Sequence, residues 1–118
     1  MVTHMIPSSA VTLREYLDHK GRSPFGCWLD VLDSRAAAKV IVALARIEQG
    51  NFSNVKGVGG GVLEYRIDFG PGYRIYFGKD GVTLVILLAG GTKTRQQDDI
   101  RTAQARWNDY KRRKAQGS

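Results

Sequence analysis

The chain is short of the residues on which several common chemistries depend. It has one cysteine, Cys27, so no disulfide can form within it, which fits a reducing cytoplasm. Cys27 lies in the apolar run Phe25–Leu32 and is expected to pack in the core rather than react. The two histidines, His4 and His19, both fall near the N-terminus. With no Cys/His cluster, neither a zinc site nor another cofactor is expected. No apolar run approaches the roughly 18–20 residues of a membrane span. The start, MVTHMIPSSAV, lacks the basic and apolar regions of a signal peptide. These absences predict a cytoplasmic protein with no membrane partner. Internal repeats and linkers are missing too, so the 118 residues are expected to form one domain, with a core over about 10–114 and flexible ends.

What the chain does have is positive charge and a patterned centre. Eighteen Lys and Arg against 11 Asp and Glu give a formal charge of +7, which points to a polyanion or an acidic protein as partner. The stretch Gly61–Gly91 reads as three antiparallel strands. In Val62–Phe69, Leu63, Tyr65, Ile67 and Phe69 alternate with Val62, Glu64, Arg66 and Asp68, the period of a strand. Gly70-Pro71-Gly72 turns the chain. Tyr73, Ile75 and Phe77 then share one face, and Arg74 and Tyr76 take the other. Asp80-Gly81 is a hairpin signal, and the apolar run Val82–Ala89 suits a central strand covered on both faces.

Around this meander, Ala10–Leu17 reads as a first strand. Ser23-Pro24 opens a short helix whose face is Phe25, Trp28, Leu29 and Leu32. Asp33-Ser34 caps a second helix, Ser34–Gln49, expected to bury Ala37, Ile41, Leu44 and Ile47. Asn51–Gly61 reads as a Gly- and Asn-rich loop carrying Lys56. Its glycines permit a left-handed or flexible backbone. Thr94 and Gln97 have capping-box spacing before a last helix with the stripe Ile100, Ala103, Trp107 and Tyr110. The expected fold is α+β: strand, helix, helix, three-stranded antiparallel meander, helix, with the helices packed mainly on one side of the sheet.

Three places suggest chemistry. Gly90-Gly91-Thr92-Lys93-Thr94 fails the Walker A spacing, yet a helix start beside Lys93 can hold a phosphate; alternatively the glycines serve a tight strand-to-helix turn. Arg66, Arg74 and Tyr76 share a sheet face, where two arginines can clamp a phosphate and a tyrosine can stack on a base; alternatively Glu64 and Asp68 neutralise that surface. Lys111, Arg112, Arg113 and Lys114 suit either the negative end of the helix dipole or a phosphate backbone, and Lys56 and Arg95 are further candidate phosphate contacts. Asp98 and Asp99, adjacent on a helix, point different ways and read as favourable charge in its first turn.

The run NFSNVKGVGGGVLEYRIDFGPGYRIYF followed by LLAGGTKTRQQDDI resembles the RelE/ParE toxin superfamily, closest to its HigB-like branch of addiction-module killer proteins. GRSPFGCWLDVLD resembles that branch too, so the likeness covers roughly Leu13–Lys114. It implies a RelE-like fold and a bacterial type II toxin. Such a toxin is neutralised by a cognate antitoxin, often one with a helix-turn-helix. It also implies metal-independent cleavage of messenger RNA, commonly on the ribosome. ParE-like relatives inhibit DNA gyrase instead, and a non-toxic binding relative is a third class. By the same resemblance, Arg74 occupies the position of a catalytic arginine and Lys93 that of a second essential arginine. Arg66 keeps the charge of a Tyr-Lys-x-Lys pattern that Asp68 reverses, and Asp99 stands where such enzymes carry a tyrosine. The histidines of some HigB enzymes are missing. The implied catalytic set is Arg74 and Lys93, with Arg66 and Tyr76 orienting substrate. Without histidine, proton transfer falls to Lys, Tyr or Asp.

Overall fold

Glycines set the turns of the sheet. In the computed structural model, which describes residues 10–117, Gly70 and Gly72 have φ of +54° and +80°, and Gly81 has +74°, conformations that L side chains rarely adopt. They join strands β3 (Val62–Ile67), β4 (Tyr73–Asp80) and β5 (Leu84–Thr92) into the expected antiparallel meander, with Arg66 opposite Arg74. Val82 falls in the second turn and is exposed, not part of a strand.

Two strands flank this meander. Strand β1 (Thr12–Glu15) runs parallel to β5, with Thr12 opposite Leu84, so the sheet is mixed and not wholly antiparallel. Strand β2 (Val55–Gly59) lies within the stretch expected to be a loop and pairs antiparallel with β3. A register shift between Gly57 and Gly59, then three left-handed glycines at 59, 60 and 61, make β2 look like a loop in sequence. The order across the sheet is β1-β5-β4-β3-β2.

The helices begin as their caps dictate. Ser23 Oγ accepts from the Gly26 N–H (2.9 Å) to start α1 (Pro24–Asp30), and Asp33 Oδ1 accepts from the Ala36 N–H (2.9 Å) to start α2 (Ser34–Glu48). Helix α2 buries Ala36, Val40, Ala43 and Ile47; Ile41 is exposed, Ala37 and Leu44 only partly covered. The run AAAKVIVALARI is apolar almost all round, so its period leaves the buried stripe free to rotate by one residue. Cys27 points outward, because Phe25, Trp28 and Leu29 form the inward face of α1.

Helices cover both faces of the sheet, not mainly one. Phe25, Val40, Ala43 and Ile47 of α1 and α2 pack with Tyr65, Ile75 and Phe77. On the other face, Ile100, Ala103 and Trp107 of α3 (Gln96–Gly117) pack with Val62, Tyr76, Ile86 and Leu88. The chain reaches α3 through a 3-10 turn, Lys93–Arg95, capped at Thr92 with no side-chain hydrogen bond, in place of the expected Thr94–Gln97 capping box. Among the described residues no helix is long and apolar enough to cross a membrane. His4 and the remaining expectations for the N-terminal stretch and extreme C-terminus lie outside the described residues.

Gly90 and Gly91 belong to β5 and serve neither a phosphate loop nor a turn. A Cβ at Gly90 would overlap the Trp28 ring on one face; a Cβ at Gly91 would overlap the Asp99 carboxylate on the other. Gly90→Ala should therefore destabilise the fold by about 2–3 kcal/mol, as overpacking does, seen as a lower urea midpoint. An unchanged midpoint would mean that Trp28 has room to move.

Candidate functional site

Strand alternation puts Glu64, Arg66, Arg74 and Tyr76 on the sheet face that α3 covers. Their fates differ with distance from the helix. Tyr76 is completely buried, Glu64 is 1% exposed and Arg74 5%, while Arg66, beyond the start of α3, is exposed. Glu64 is the hub. The Tyr76 hydroxyl donates to its Oε2 (3.0 Å), as does Gln96 Nε2 from the first residue of α3 (2.9 Å). Arg74 Nε stands 3.6 Å from the same oxygen, an ion pair too long for a hydrogen bond. Lys56, opposite Glu64 on β2, brings its Nζ to 3.8 Å from Oε1. Glu64 Oε1 and Arg74 Nε are buried with no hydrogen-bond partner among the described residues. Arg74 is otherwise held by donating from Nη1 to the Gly72 carbonyl (2.8 Å).

Lys93 enters the same corner. A methyl group at Gly72 would lie 3.3 Å from Arg74 Nη1 and 3.8 Å from Lys93 Cβ, so the turn glycine leaves room for both side chains to share one place. Lys93 is exposed. Beyond Glu64 opens a cleft of about 340 Å³ whose wall includes Ser53, Asn54, Lys56, Arg66 and Asp68. The structure thus gathers Arg74, Tyr76, Lys93, Arg66 and Lys56 at one corner of the sheet. Burial and the adjoining Glu64 carboxylate raise the Tyr76 pKa, so this hydroxyl stays protonated at neutral pH. Its ring, covered by α3, has no free face on which a base could stack.

Asp99 lies on the inner side of α3 against Gly91, which pairs across the ladder with Arg74. Burial raises its pKa, with Asp98 adding to the shift and Arg95 and Arg106 opposing it. Asp98 instead faces outward to Arg95 (3.9 Å) and Arg101. A partly buried carboxyl with a raised pKa beside clustered cations is a candidate for proton exchange.

The basic end of α3 lies elsewhere, about 24 Å further along the helix axis from Gln96. Arg112 and Arg113 both pair with Asp109 (2.8 and 2.6 Å), and Lys114 pairs with Asp80 (2.6 Å). Lys111 sits over the Trp107 ring. Tyr16 and Tyr110 donate to the same two carboxylates, tying α3 to β1 and β4. Arg95 is exposed at the 3-10 turn.

In the sequence Glu64 reads only as a charge that could neutralise the neighbouring arginines, and Gln96 has no evident role. A lone carboxylate between Leu63 and Tyr65, opposite Tyr76, was the available signal. The bond from Gln96 to Glu64 has no local signal, since its partner comes from a strand 32 residues away.

Compared with known proteins, residues 27–108 match the family described as "Phage derived protein Gp49-like". A protein of Haemophilus influenzae, described as uncharacterized, is 45% identical over 80 residues, covering 67% of this chain and 81% of that one.

Removing Arg74 leaves the short, buried Glu64 side chain without its buried counter-ion. Removing the Glu64 charge leaves a long arginine that can reach toward solvent. Arg74→Ala should thus cost about 3–5 kcal/mol and Glu64→Gln distinctly less, in paired urea titrations; the reverse order would show that Lys56, Tyr76 and Gln96 suffice for Glu64. For Asp99 the sign runs with a raised acid pKa. The folded state binds the proton more tightly, so stability is full below the unfolded pKa and falls as pH rises through the folded one. Asp99→Asn should abolish that loss and so steepen the acid limb of Tm against pH, where Asp80 and Asp109, with lowered pKa values, make stability rise with pH; an unaltered limb would place the titration elsewhere.

Proposed function

Because the chain belongs to the Gp49-like family of phage-derived proteins, a toxin-like family of RelE/Gp49 type, we propose that it is the toxin of a type II toxin–antitoxin pair. The finer reading is HigB-like: a metal-independent endoribonuclease that inhibits translation by cutting messenger RNA, in one domain formed by the whole chain. Its α+β fold, a five-stranded sheet with three helices packed on it, is compatible with a RelE-like one. The observation that carries the reading is the corner where a cleft lined by Lys56, Glu64 and Arg66 adjoins Arg74, with Lys93 sharing the Gly72 turn with Arg74 and Asp99 set against Gly91, the ladder partner of Arg74.

The chemistry assigned to that corner is transesterification. Asp99 takes the proton of a ribose 2′-hydroxyl, whose oxygen attacks the adjacent phosphorus. The bond to the 5′-oxygen breaks, and that oxygen takes a proton from the Lys93 ammonium. The products are a 2′,3′-cyclic phosphate and a 5′-hydroxyl. Arg74 stabilises the charge growing on the phosphate oxygens, and Arg66 and Lys56 hold flanking phosphates. Glu64, Tyr76 and Gln96 position Arg74. An antitoxin of helix-turn-helix type, with an acidic face for the +7 chain, would complete the pair. The burial of Arg74 favours a second reading, a non-nucleolytic toxin of ParE type whose exposed cations meet gyrase.

Induction should arrest growth, a gene beside it should rescue growth, and 5′-end mapping should reveal new 5′-hydroxyl RNA ends. Arg74→Lys, which keeps a cation beside Glu64, and Asp99→Asn should each lower the single-turnover rate by about a hundredfold or more. Intact RNA together with trapped gyrase–DNA cleavage complexes would transfer the assignment to the second reading.

A further inference from the structure

The cleft at the candidate site does not end at the sheet. Its residues Asn54, Arg66 and Asp68 also line a second cleft of about 250 Å³, on the opposite face, whose far wall is α2 with Lys39, Val42 and Arg46. Together the two clefts form a groove around the corner where β2 begins and β3 ends. Backbone continuity at this corner is modest: the Arg66 N–H donates to the Asn54 carbonyl (3.3 Å), and Arg66 and Asp68 project past the start of β2.

Helix periodicity supplies the outer wall with charge. Arg35, Lys39, Val42 and Arg46 recur at i, i+4, i+7 and i+11, one stripe of α2 spanning about 16 Å. Arg35 and Lys39 rest over the Phe69 ring, which holds their stems without neutralising them. Among the described residues no carboxylate lies within 4 Å of Arg35, Lys39, Arg46 or Arg66, whereas Arg112, Arg113 and Lys114 each have one. Apart from Glu64, Asp68 is the sole acidic residue of the groove walls. The groove is therefore polar, positive and continuous with the candidate reactive corner.

We propose that this groove is the track for single-stranded RNA flanking the scissile bond, with the chain passing from the Glu64–Arg74 corner over Arg66 and Asn54 onto the Lys39–Arg46 stripe of α2. The proposal rests on the endoribonuclease reading and adds to it a binding surface on the far face of the sheet. Single strands suit it because the path bends around a strand end, which a stiff duplex cannot follow. Contacts to phosphates make it tolerant of sequence.

The test uses fully 2′-O-methylated RNA, which cannot be cut, in a short form of about four nucleotides and a long form of about twelve. Lys39→Gln/Arg46→Gln should bind the long form at least about tenfold more weakly. It should also reduce the slope of log affinity against log salt by about 1.4, or about 0.7 for each lost contact. Short-form binding should be unchanged. Arg101→Gln, an exposed cation on α3, is the charge control and should alter neither. Equal long-form affinity in the double variant, with the wild type still binding and cutting RNA, would overturn the track alone. Loss of affinity for the co-expressed antitoxin with RNA binding intact would overturn it in favour of a protein-docking face. A wild type that binds neither form would remove the RNA reading and the track together.

Discussion

A carboxylate buried in the middle of a sheet face is the constraint around which this structure is arranged. Glu64 is too short to reach water, so its charge must be met inside, and the groups that meet it come from two neighbouring strands and a helix: Lys56, Arg74, Tyr76 and Gln96. Each is a donor or a cation, as desolvation of an anion demands. One consequence is mechanical. Gln96 is the first residue of α3, and its bond to Glu64 fixes where that helix begins relative to β3. The 3-10 turn from Lys93 to Arg95, which lacks a side-chain cap, lets the chain reach that point.

With its start fixed, α3 lies close enough to the sheet to require glycine beneath it. Gly91 makes way for Asp99 and Gly78 for Trp107, while on the opposite face Gly90 makes way for Trp28. A bulge in β5 assists: Tyr76 opposes Ala89 and Phe77 opposes Leu87, so Leu88 and Ala89 both turn toward α3. The far end of the helix is fastened differently. Asp109 and Asp80 each gather a tyrosine hydroxyl and basic side chains, holding the last turns against β1 and β4. The same close approach that packs the core also places Asp99 where burial can raise its pKa.

Local signals in the sequence were legible where the physics is local. Ser23 and Asp33 cap the helices they announce, Gly70-Pro71-Gly72 turns the chain, and Ile100, Ala103 and Trp107 form the buried stripe of the last helix. The misses share a cause: the deciding partner is distant. Strand β2 is extended because β3 offers it a ladder, whatever its glycines prefer alone. Helix α2 has apolar residues on too many sides for its own pattern to choose the inward one. Cys27 is apolar in neighbourhood yet outward in direction. The parallel pairing of β1 with β5 joins residues some seventy apart, beyond any periodicity argument. At the candidate site the cations could be chosen from sequence. The carboxylate that organises them could not, because Glu64 acquires its importance only once α3 seals it from water.

The distribution of the positive charge follows from the same packing. A formal charge of +7 says nothing about where a polyanion would lie, and the conspicuous run Lys111–Lys114 is the part most fully occupied by internal partners. An ion pair already satisfied within the fold must be broken before it can serve a phosphate, and a phosphate must then outbid the carboxylate it displaces. Cations scattered singly through the chain, such as Lys39, Arg46 and Arg66, have no carboxylate within 4 Å among the described residues. They become a surface only because α2 lies across the sheet from β3 and the corner at Asn54 leaves a passage between them. Clustering in sequence and availability in space are thus opposed here: the run Lys111–Lys114 is largely spent on partners within the fold, while Lys39, Arg46 and Arg66, far apart in sequence, line adjoining clefts.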